Sequence, residues 1–182
     1  QHRLICGDSR DAGSIDRLMR GRKIDLLFTS PPYGSQREYD TRTDNGLEDW
    51  TSMMIGVFST VRAADDAQLI VNLGLYYRER QWVEYWRDWM LWMERSGWLR
   101  TGWYVWDQGP GLPGDWRGRL APSHEFVFHF SRAAVKARKA RACKHAGASH
   151  GGSGLRDPDG EVKPRNHGKK PVQASAILDS VI

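Results

Sequence analysis

Short continuous runs of hydrophobic residues alternate along this chain with stretches in which hydrophobic residues recur every three or four positions. Runs of the first kind predict β-strands, and spacing of the second kind predicts amphipathic helices. The predicted strands are residues 2–6, 24–28, 68–73, 99–106 and 125–130, and the predicted helices are residues 11–20, 47–64 and 77–96. The unbroken run at residues 24–28 further predicts a strand that is buried on both faces.

This alternation of strands and helices predicts an α/β fold with a mostly parallel, twisted sheet and flanking helices. The last two strands are expected to form an antiparallel pair at its edge. We expect the α/β core to occupy residues 1–131. Residues 132–169 are rich in glycine, proline and charge, and are predicted to form a basic flexible loop. Residues 170–182 regain apolar spacing and predict the start of a further helix.

Length and composition exclude several classes of protein. A chain of 182 residues suits one compact domain. No apolar run approaches the roughly 18 residues that a membrane span requires. Two cysteines, Cys6 and Cys143, are too few for a disulfide framework and favour a reducing, cytoplasmic setting. Cys143, His145 and His150 match no common spacing of zinc ligands, so we expect no metal site.

The positive charge is concentrated in one part of the chain. Lys and Arg number 27 against 22 Asp and Glu, which gives a formal net charge of +5. Residues 132–170 alone hold 11 basic and 3 acidic residues, so the remainder is net negative. A basic excess confined to one segment indicates contact with a polyanion, most often nucleic acid, although a solvated loop would have the same composition.

Residues 25–33, Asp-Leu-Leu-Phe-Thr-Ser-Pro-Pro-Tyr, are the segment most suggestive of chemistry. Two prolines directly follow a predicted strand, and each fixes its own backbone and restricts the residue before it. A stiff loop is therefore expected at the carboxyl end of the strand, where open α/β sheets place their sites. The Ser30 hydroxyl and the carbonyls of Ser30 and Pro31 are hydrogen-bond acceptors beside the ring of Tyr33. Such a site suits a planar group that bears an amine.

The tetrapeptide Ser30-Pro31-Pro32-Tyr33 resembles the catalytic signature of S-adenosylmethionine-dependent DNA amino-methyltransferases. That signature is Asp, Asn or Ser, then Pro-Pro, then Tyr, Phe or Trp. Further segments resemble the family's other motifs in the order of its beta arrangement, and together they span nearly the whole chain. They are residues 4–8, 70–74, 103–106, 124–130 and 168–171. The resemblance implies a Rossmann-like methyltransferase fold.

The resemblance also implies S-adenosylmethionine as the cofactor. It assigns cofactor-binding positions to Asp8, Thr29, Lys170 and Pro171. Members with the beta arrangement continue past the Lys-Pro helix into a strand that ends in Asp-Pro-Phe-x-Gly-x-Gly. We therefore expect this chain to be truncated before the glycine-rich cofactor loop, unless a partner chain supplies it.

The reaction that the resemblance implies is methyl transfer to the exocyclic amine of a flipped DNA base. Ser30 and the Pro31 carbonyl would accept the N–H bonds of the amine, and Tyr33 would stack on the base. Serine at the first position is typical of enzymes that methylate N4 of cytosine, and N6 of adenine is the alternative. Neither cysteine follows a proline, as the chemistry of C5 methylation would require.

Two other classes of function stay open. One is a DNA-binding or regulatory module without its own activity, and the other is an RNA or protein amine methyltransferase. The pair His124-Glu125 resembles a position near the family's recognition strands, and a strand cap is the alternative.

With double-stranded DNA as the implied partner, basic side chains are candidate phosphate contacts. They are Arg37, Arg117, Arg119, Arg132, Lys136, Arg138, Lys139 and Arg141. The resemblance is to enzymes encoded by bacteria, archaea and phages. It leaves open a homodimer and a partner restriction endonuclease.

Overall fold

The computed structural model describes residues 2–33, 46–110, 120–134, 138–148, 155–156, 158–163 and 171–178; at 46–49, 155–156 and 162–163 it describes the backbone alone. The chain divides into two compact units, residues 1–135 with 180–182, and residues 136–179. The first unit contains α1 (Ala12–Met19), β1 (Ile24–Thr29), α2 (Gly46–Ser59), β2 (Ala63–Leu73), β3 (Tyr77–Arg78), β4 (Gln81–Trp82), α3 (Arg87–Arg95), β5 (Leu99–Asp107) and β6 (His124–Ser131). The second contains β7 (Arg141–Ala142), β8 (Leu155–Arg156), β9 (Val162–Lys163) and β10 (Ser175–Ala176).

Four strands of the first unit form one mixed sheet in the order β1-β2-β6-β5. β1 and β2 pair in parallel, whereas β6 runs antiparallel to both of its neighbours, β2 and β5. β1, β2 and β5 therefore point in the same direction. The predicted α/β fold and the antiparallel pairing of β5 with β6 are confirmed.

The hydrophobic core lies on the face of the sheet that packs against α2 and α3. Alternate residues of β2 and β6 point to this face, and Leu69, Val71, Phe128 and Phe130 are fully buried there. Trp89 of α3 is also fully buried, with its ring centroid 5.5 Å from that of Phe130. Truncation of such residues costs about 3–5 kcal/mol, so these contacts supply much of the stability of the unit.

The opposite face of β1 is open among the described residues. Leu27 packs against the core, but Leu26 and Phe28 are 60% and 68% exposed. The prediction that this strand is buried on both faces is therefore wrong for the described part of the chain. The physical reason is that α2 and α3 cover the other face.

The predicted strand at residues 2–6 is also wrong. Leu4 is fully exposed, and none of the described strands pairs with this segment. The Arg3 side chain donates instead to the carbonyls of Leu18 and Met19, at the end of α1. The helix α1 itself was predicted correctly, and Asp11 caps its start by accepting hydrogen bonds from the first-turn backbone.

The predicted long helix at residues 77–96 is only partly right, because α3 begins at Arg87. The strands β3 and β4 form a hairpin before it. Glu79 and Arg80, at its turn, have φ angles of 51° and 67°. Consecutive left-handed residues cannot continue a helix, and they match the twist of a tight hairpin. The rings of Tyr77 and Trp82 stabilise the pair at 5.1 Å.

The second unit differs from the predicted loop and helix. Its described residues form two antiparallel strand pairs, β7 with β10 and β8 with β9. Backbone hydrogen bonds join Cys143 to Ala174 and Ala148 to Val172. These bonds hold residues 171–178 against 141–148, so the described part of the predicted C-terminal helix is extended instead. None of the described helices is long and apolar enough to cross a membrane.

Replacing Arg80 with glycine should stabilise the protein, because a β-carbon in the left-handed region costs about 1 kcal/mol or more that glycine avoids. We expect the free energy of unfolding in urea to rise by about 0.5–1 kcal/mol. Arg78→Gly, within β3, is the control and should lower it. A loss of about 1 kcal/mol in Arg80→Gly would match glycine inside a helix and contradict the hairpin.

The stability of the first unit should depend on the pH through His129, which is buried and 3.0 Å from the Tyr104 hydroxyl. Burial lowers the pKa of His129 below its usual 6.5. The unfolded chain therefore binds this proton more readily, and stability falls as the pH drops below about 6.5. Urea titrations at pH 7.5 and 5.5 should show a smaller loss for His129→Gln than for the wild type; equal losses would contradict this origin.

Candidate active site

The pairing of the strands brings three polar side chains to one edge of the sheet. Thr29, the last residue of β1, is level with Val71 of β2, and both strands point toward this edge. One residue further on, Ser30 and Asn72 lie on the opposite face from the core, because successive side chains alternate. β6 runs the other way and begins at the same edge, which places Glu125 beside them.

Four side chains at this edge form a continuous hydrogen-bond network, here called the Tyr33 cluster. The Tyr33 hydroxyl oxygen lies 2.8 Å from the Ser30 hydroxyl, 2.9 Å from Oε2 of Glu125 and 2.8 Å from Nδ2 of Asn72. The Asn72 amide also donates to Oε2 of Glu125. Ser30 is exposed, whereas the other three are partly buried. The Ser30 hydroxyl is therefore exposed to solvent, and the three partly buried side chains of the cluster hold it in position.

The core holds the Ser-Pro-Pro-Tyr loop at two points. The buried indole of Trp50 donates to the Pro32 carbonyl at 2.6 Å. The ring of Tyr33 lies directly on Gly74, where a β-carbon would sit 2.5 Å from its Cδ2 atom. The buried Tyr85 hydroxyl donates to the Gly74 carbonyl at 3.0 Å. The rings of Trp50 and Tyr85 meet edge-on at 4.8 Å, so both contacts originate in one aromatic group.

The hydroxyl groups of this region keep their protons at neutral pH. Burial raises the pKa of Tyr33, and the Glu125 carboxylate raises it further, against the opposing hydrogen bonds from Ser30 and Asn72. Burial also raises the pKa of Tyr85. Tyr33 is therefore a neutral phenol with one hydrogen to donate.

Within the first unit, the structure separates two of the predicted cofactor-binding residues, Thr29 and Asp8. Thr29 adjoins the loop, but the Asp8 carboxylate is exposed and held by Arg10, which lowers its pKa. The backbone carbonyl of Ser9, next to Asp8, accepts a hydrogen bond from the Thr60 hydroxyl, just past the end of α2. Trp50, which contacts the loop, precedes Thr60 by ten residues along α2, and ten helical residues span roughly 15 Å. Asp8 therefore lies away from the loop.

The other two predicted cofactor-binding residues lie outside the described part of the first unit. Pro171 belongs to the second unit, and Lys170 lies outside the described residues. Of the four, only Thr29 is therefore placed beside the loop within the described part of the first unit.

The predicted phosphate contacts fall into three groups. Arg37, Arg117, Arg119 and Lys136 lie outside the described residues. Arg138, Lys139 and Arg141 are exposed in the second unit, and the Lys139 amino group donates to the side chain of Gln173. Arg132 belongs to the first unit, where its guanidinium lies 4.3 Å from the Trp98 ring centroid.

Arg132 contributes to a basic cavity far from the Tyr33 cluster. The cavity has a volume of about 560 Å³, and Arg22, Lys23 and Arg62 also line it. The cavity adjoins the end of β6, whereas the Tyr33 cluster adjoins the start of that strand. Eight extended residues span roughly 24 Å, so a phosphate bound by Arg132 would be distant from a base at Ser30.

Sequence reasoning missed most of the residues that support the loop. It gave no role to Trp50, Asn72 or Gly74, and it interpreted Glu125 as part of a recognition strand or a strand cap. The sequence did contain a signal for two of these residues, namely a polar residue within or beside an apolar run. Asn72 interrupts the run at 69–73, and Glu125 precedes four residues of which three are aromatic or aliphatic. A polar residue in such a strand indicates the point where the strand leaves the core.

A model of the N6/N4 methyltransferase family, described as DNA methylase, matches residues 24–174. The matched region contains the Ser-Pro-Pro-Tyr loop and the whole Tyr33 cluster. This chain belongs to that family of DNA methylases.

Several known proteins are similar to this chain. The Type II methyltransferase M.MwoI of Methanothermobacter wolfeii is 26% identical over 136 residues, which cover 67% of this chain and 20% of that protein. The solved structure of the cytosine-N4-specific PvuII DNA methyltransferase superposes with a TM-score of 0.54 at 18% identity, covering 70% of this chain and 48% of that one. A DNA modification methylase of Thermus thermophilus, TTHA0409, gives 0.51 at 17% identity, covering 77% and 58%.

These likenesses confirm the methyltransferase fold that the resemblance implied. The chain spans about a fifth of the curated relative and about half of each of these solved methylases.

Gly74→Ala should displace the Tyr33 ring, because the new β-carbon would overlap its edge. We expect the free energy of unfolding to fall by about 1–3 kcal/mol, as for other overpacked sites. Combining Gly74→Ala with Tyr33→Ala should cost less than the sum of the single losses, because the overlap disappears. Gly13→Ala is the control, since its nearest neighbour would be 3.5 Å away. Strict additivity would contradict the contact.

Proposed function

We propose that this chain carries the catalytic loop of an enzyme that methylates N4 of cytosine in DNA, with S-adenosylmethionine as the methyl donor. Membership of the N6/N4 family supports transfer to an exocyclic amine. The exposed Ser30 hydroxyl at the carboxyl edge of β1, held from behind by Tyr33, is the observation that carries the proposal. Serine at this position favours cytosine, and N6 of adenine is the runner-up.

The chemical difficulty is the low reactivity of the amine, whose lone pair is delocalised into the base. Two acceptors that hold both N–H bonds favour a pyramidal nitrogen and free the lone pair for attack. Ser30 and the Pro31 carbonyl are the proposed acceptors. The prolines and the bond from Trp50 to Pro32 keep them in place before the base arrives. Catalysis is then a matter of positioning and electrostatics, with no covalent enzyme intermediate.

The base reaches this loop only when it is flipped out of the duplex. A stacking role for Tyr33 stays a prediction, and it would use the side of the ring turned away from Gly74. Phosphate contacts from Arg132, Arg138, Lys139 and Arg141 stay predictions as well, as do a homodimer and an endonuclease partner.

A DNA-binding module without its own activity is the second candidate. It is favoured by one observation, that within the first unit Asp8 lies away from the loop that Thr29 adjoins. Binding of DNA without any methyl transfer would support it over the enzyme.

The test is methyl transfer from labelled S-adenosylmethionine to mixed-sequence duplex DNA, followed by digestion and separation of the nucleosides. We expect N4-methylcytosine, and Ser30→Ala should slow transfer by on the order of 10²-fold while DNA affinity is retained. Ser59→Ala is the matched control, because the Ser59 hydroxyl donates to the Ile55 carbonyl at the end of α2. N6-methyladenine would establish the runner-up, and near-normal turnover of Ser30→Ala would exclude its assigned role.

A further inference from the structure

We propose that a one-way hydrogen-bond relay from Ser30 through Tyr33 to Glu125 makes Ser30 a pure acceptor toward the target base. The relay selects an amine over a carbonyl and removes the proton that methyl transfer releases. This inference rests on the proposed function and concerns the same site.

The direction of the relay follows from counting hydrogens. An ionised carboxylate only accepts hydrogen bonds, and a neutral phenol has a single hydrogen. Tyr33 donates that hydrogen to Oε2 of Glu125 at 2.9 Å. Its oxygen can then only accept at its two remaining contacts, from Nδ2 of Asn72 and from the Ser30 hydroxyl, both at 2.8 Å. Ser30 is therefore the donor in its bond with Tyr33.

The reverse direction is unfavourable for two reasons. If Tyr33 donated to Ser30, its oxygen would face the Glu125 carboxylate at 2.9 Å with no hydrogen between them. A charge-assisted hydrogen bond, roughly twice as strong as a neutral one, would be lost as well. Asn72 adds to this preference, because its amide nitrogen donates to both Tyr33 and Glu125. Turning the amide over would direct its oxygen at both acceptors.

The consequence for Ser30 is that its only hydrogen points into the cluster. The lone pairs of this exposed hydroxyl are left for the incoming base. An amine, as in cytosine or adenine, can donate to them. A carbonyl at the same position, as in uracil or hypoxanthine, presents lone pairs to lone pairs. A site that requires a donor in this way rejects the isostere that lacks one.

The relay also gives the departing proton a path. Attack on the methyl group forms the new nitrogen–carbon bond as the donor's sulfur–carbon bond breaks, and the nitrogen becomes positively charged. Its proton passes to Ser30, the original Ser30 hydrogen passes to Tyr33, and the Tyr33 hydrogen passes to Glu125. Both hydroxyls are restored, and Glu125 becomes a carboxylic acid, so atoms and charge balance.

The relay requires a hydroxyl group at position 33, whereas stacking on the base requires only an aromatic ring. The family signature accepts Tyr, Phe or Trp at position 33, and all three rings can stack. Only tyrosine can link Ser30 to Glu125. Tyr33→Phe therefore separates the two roles, because it keeps the ring and removes the hydroxyl.

The first experiment measures binding without turnover. Duplexes that differ only at the target base, amine against carbonyl, are titrated with the wild type and with Tyr33→Phe. We expect the wild type to prefer the amine duplex and this preference to fall about tenfold in Tyr33→Phe, because the freed Ser30 hydroxyl can turn and donate. Tyr104→Phe is the matched control, since its hydroxyl bonds His129 instead. An unchanged preference in Tyr33→Phe would overturn the proposal.

Glu125→Gln tests the same direction without touching the ring. A neutral amide can donate to Tyr33, which allows Tyr33 to donate to Ser30, so the preference should weaken here too. A preference that survives both substitutions would exclude the relay even if one variant folded poorly.

The second experiment measures turnover. With saturating DNA, Tyr33→Phe and Glu125→Gln should each lower kcat by on the order of 10²-fold, the usual contribution of proton transfer, with little change in KM for DNA. The double variant should be no slower than the slower single variant, because both residues act in one path. Glu125→Asp should restore part of the rate. Additive losses would contradict a shared path.

The two experiments separate this inference from the proposed function. A wild type that transfers no methyl group but prefers the amine duplex would contradict the enzyme and support the relay. A wild type that methylates DNA at rates insensitive to Tyr33→Phe and Glu125→Gln would support the enzyme and overturn the relay.

Discussion

The parallel register between β1 and β2 is the constraint on which the candidate site depends. It sets the carboxyl ends of the two strands level, so that Ser30 and Asn72 leave the sheet on the same face. A slip of one residue would turn Ser30 toward the core face and separate Tyr33 from Glu125. The buried Leu69 and Val71 hold the register, because a slip of one residue would place Ile70 and one polar neighbour, Gln68 or Asn72, at their positions.

The aromatic core holds the Ser-Pro-Pro-Tyr loop in place. Trp50 and Tyr85 bury their rings against each other and use their polar ends on the loop and on Gly74. Amphipathic aromatic residues can do both because one edge of the ring carries a donor. The stiffness of the loop thus has two sources, the prolines within it and the donors beneath it. Trp86 and Trp89 belong to the same core.

Two errors of the sequence predictions share one cause. Aromatic residues spaced three and four apart predicted a helix from residue 77, but periodicity carries no information on φ. The left-handed turn at Glu79 and Arg80 contains no glycine to indicate it. The C-terminal segment likewise has helical spacing, yet its backbone pairs with residues 141–148. In both places backbone hydrogen bonds to another strand decided the conformation.

The amino-acid sequence by itself determined the α/β alternation, the position of the Ser-Pro-Pro-Tyr loop after a strand and the family of the protein. These features depend on local patterns and on four adjacent residues. Only the tertiary structure determined which side chains form the hydrogen-bond network with Ser30. Glu125 lies 92 residues from Tyr33 along the chain, and the direction of a hydrogen bond depends on which groups meet in space. A sequence lists donors and acceptors, and the packing of the strands determines which of them are paired.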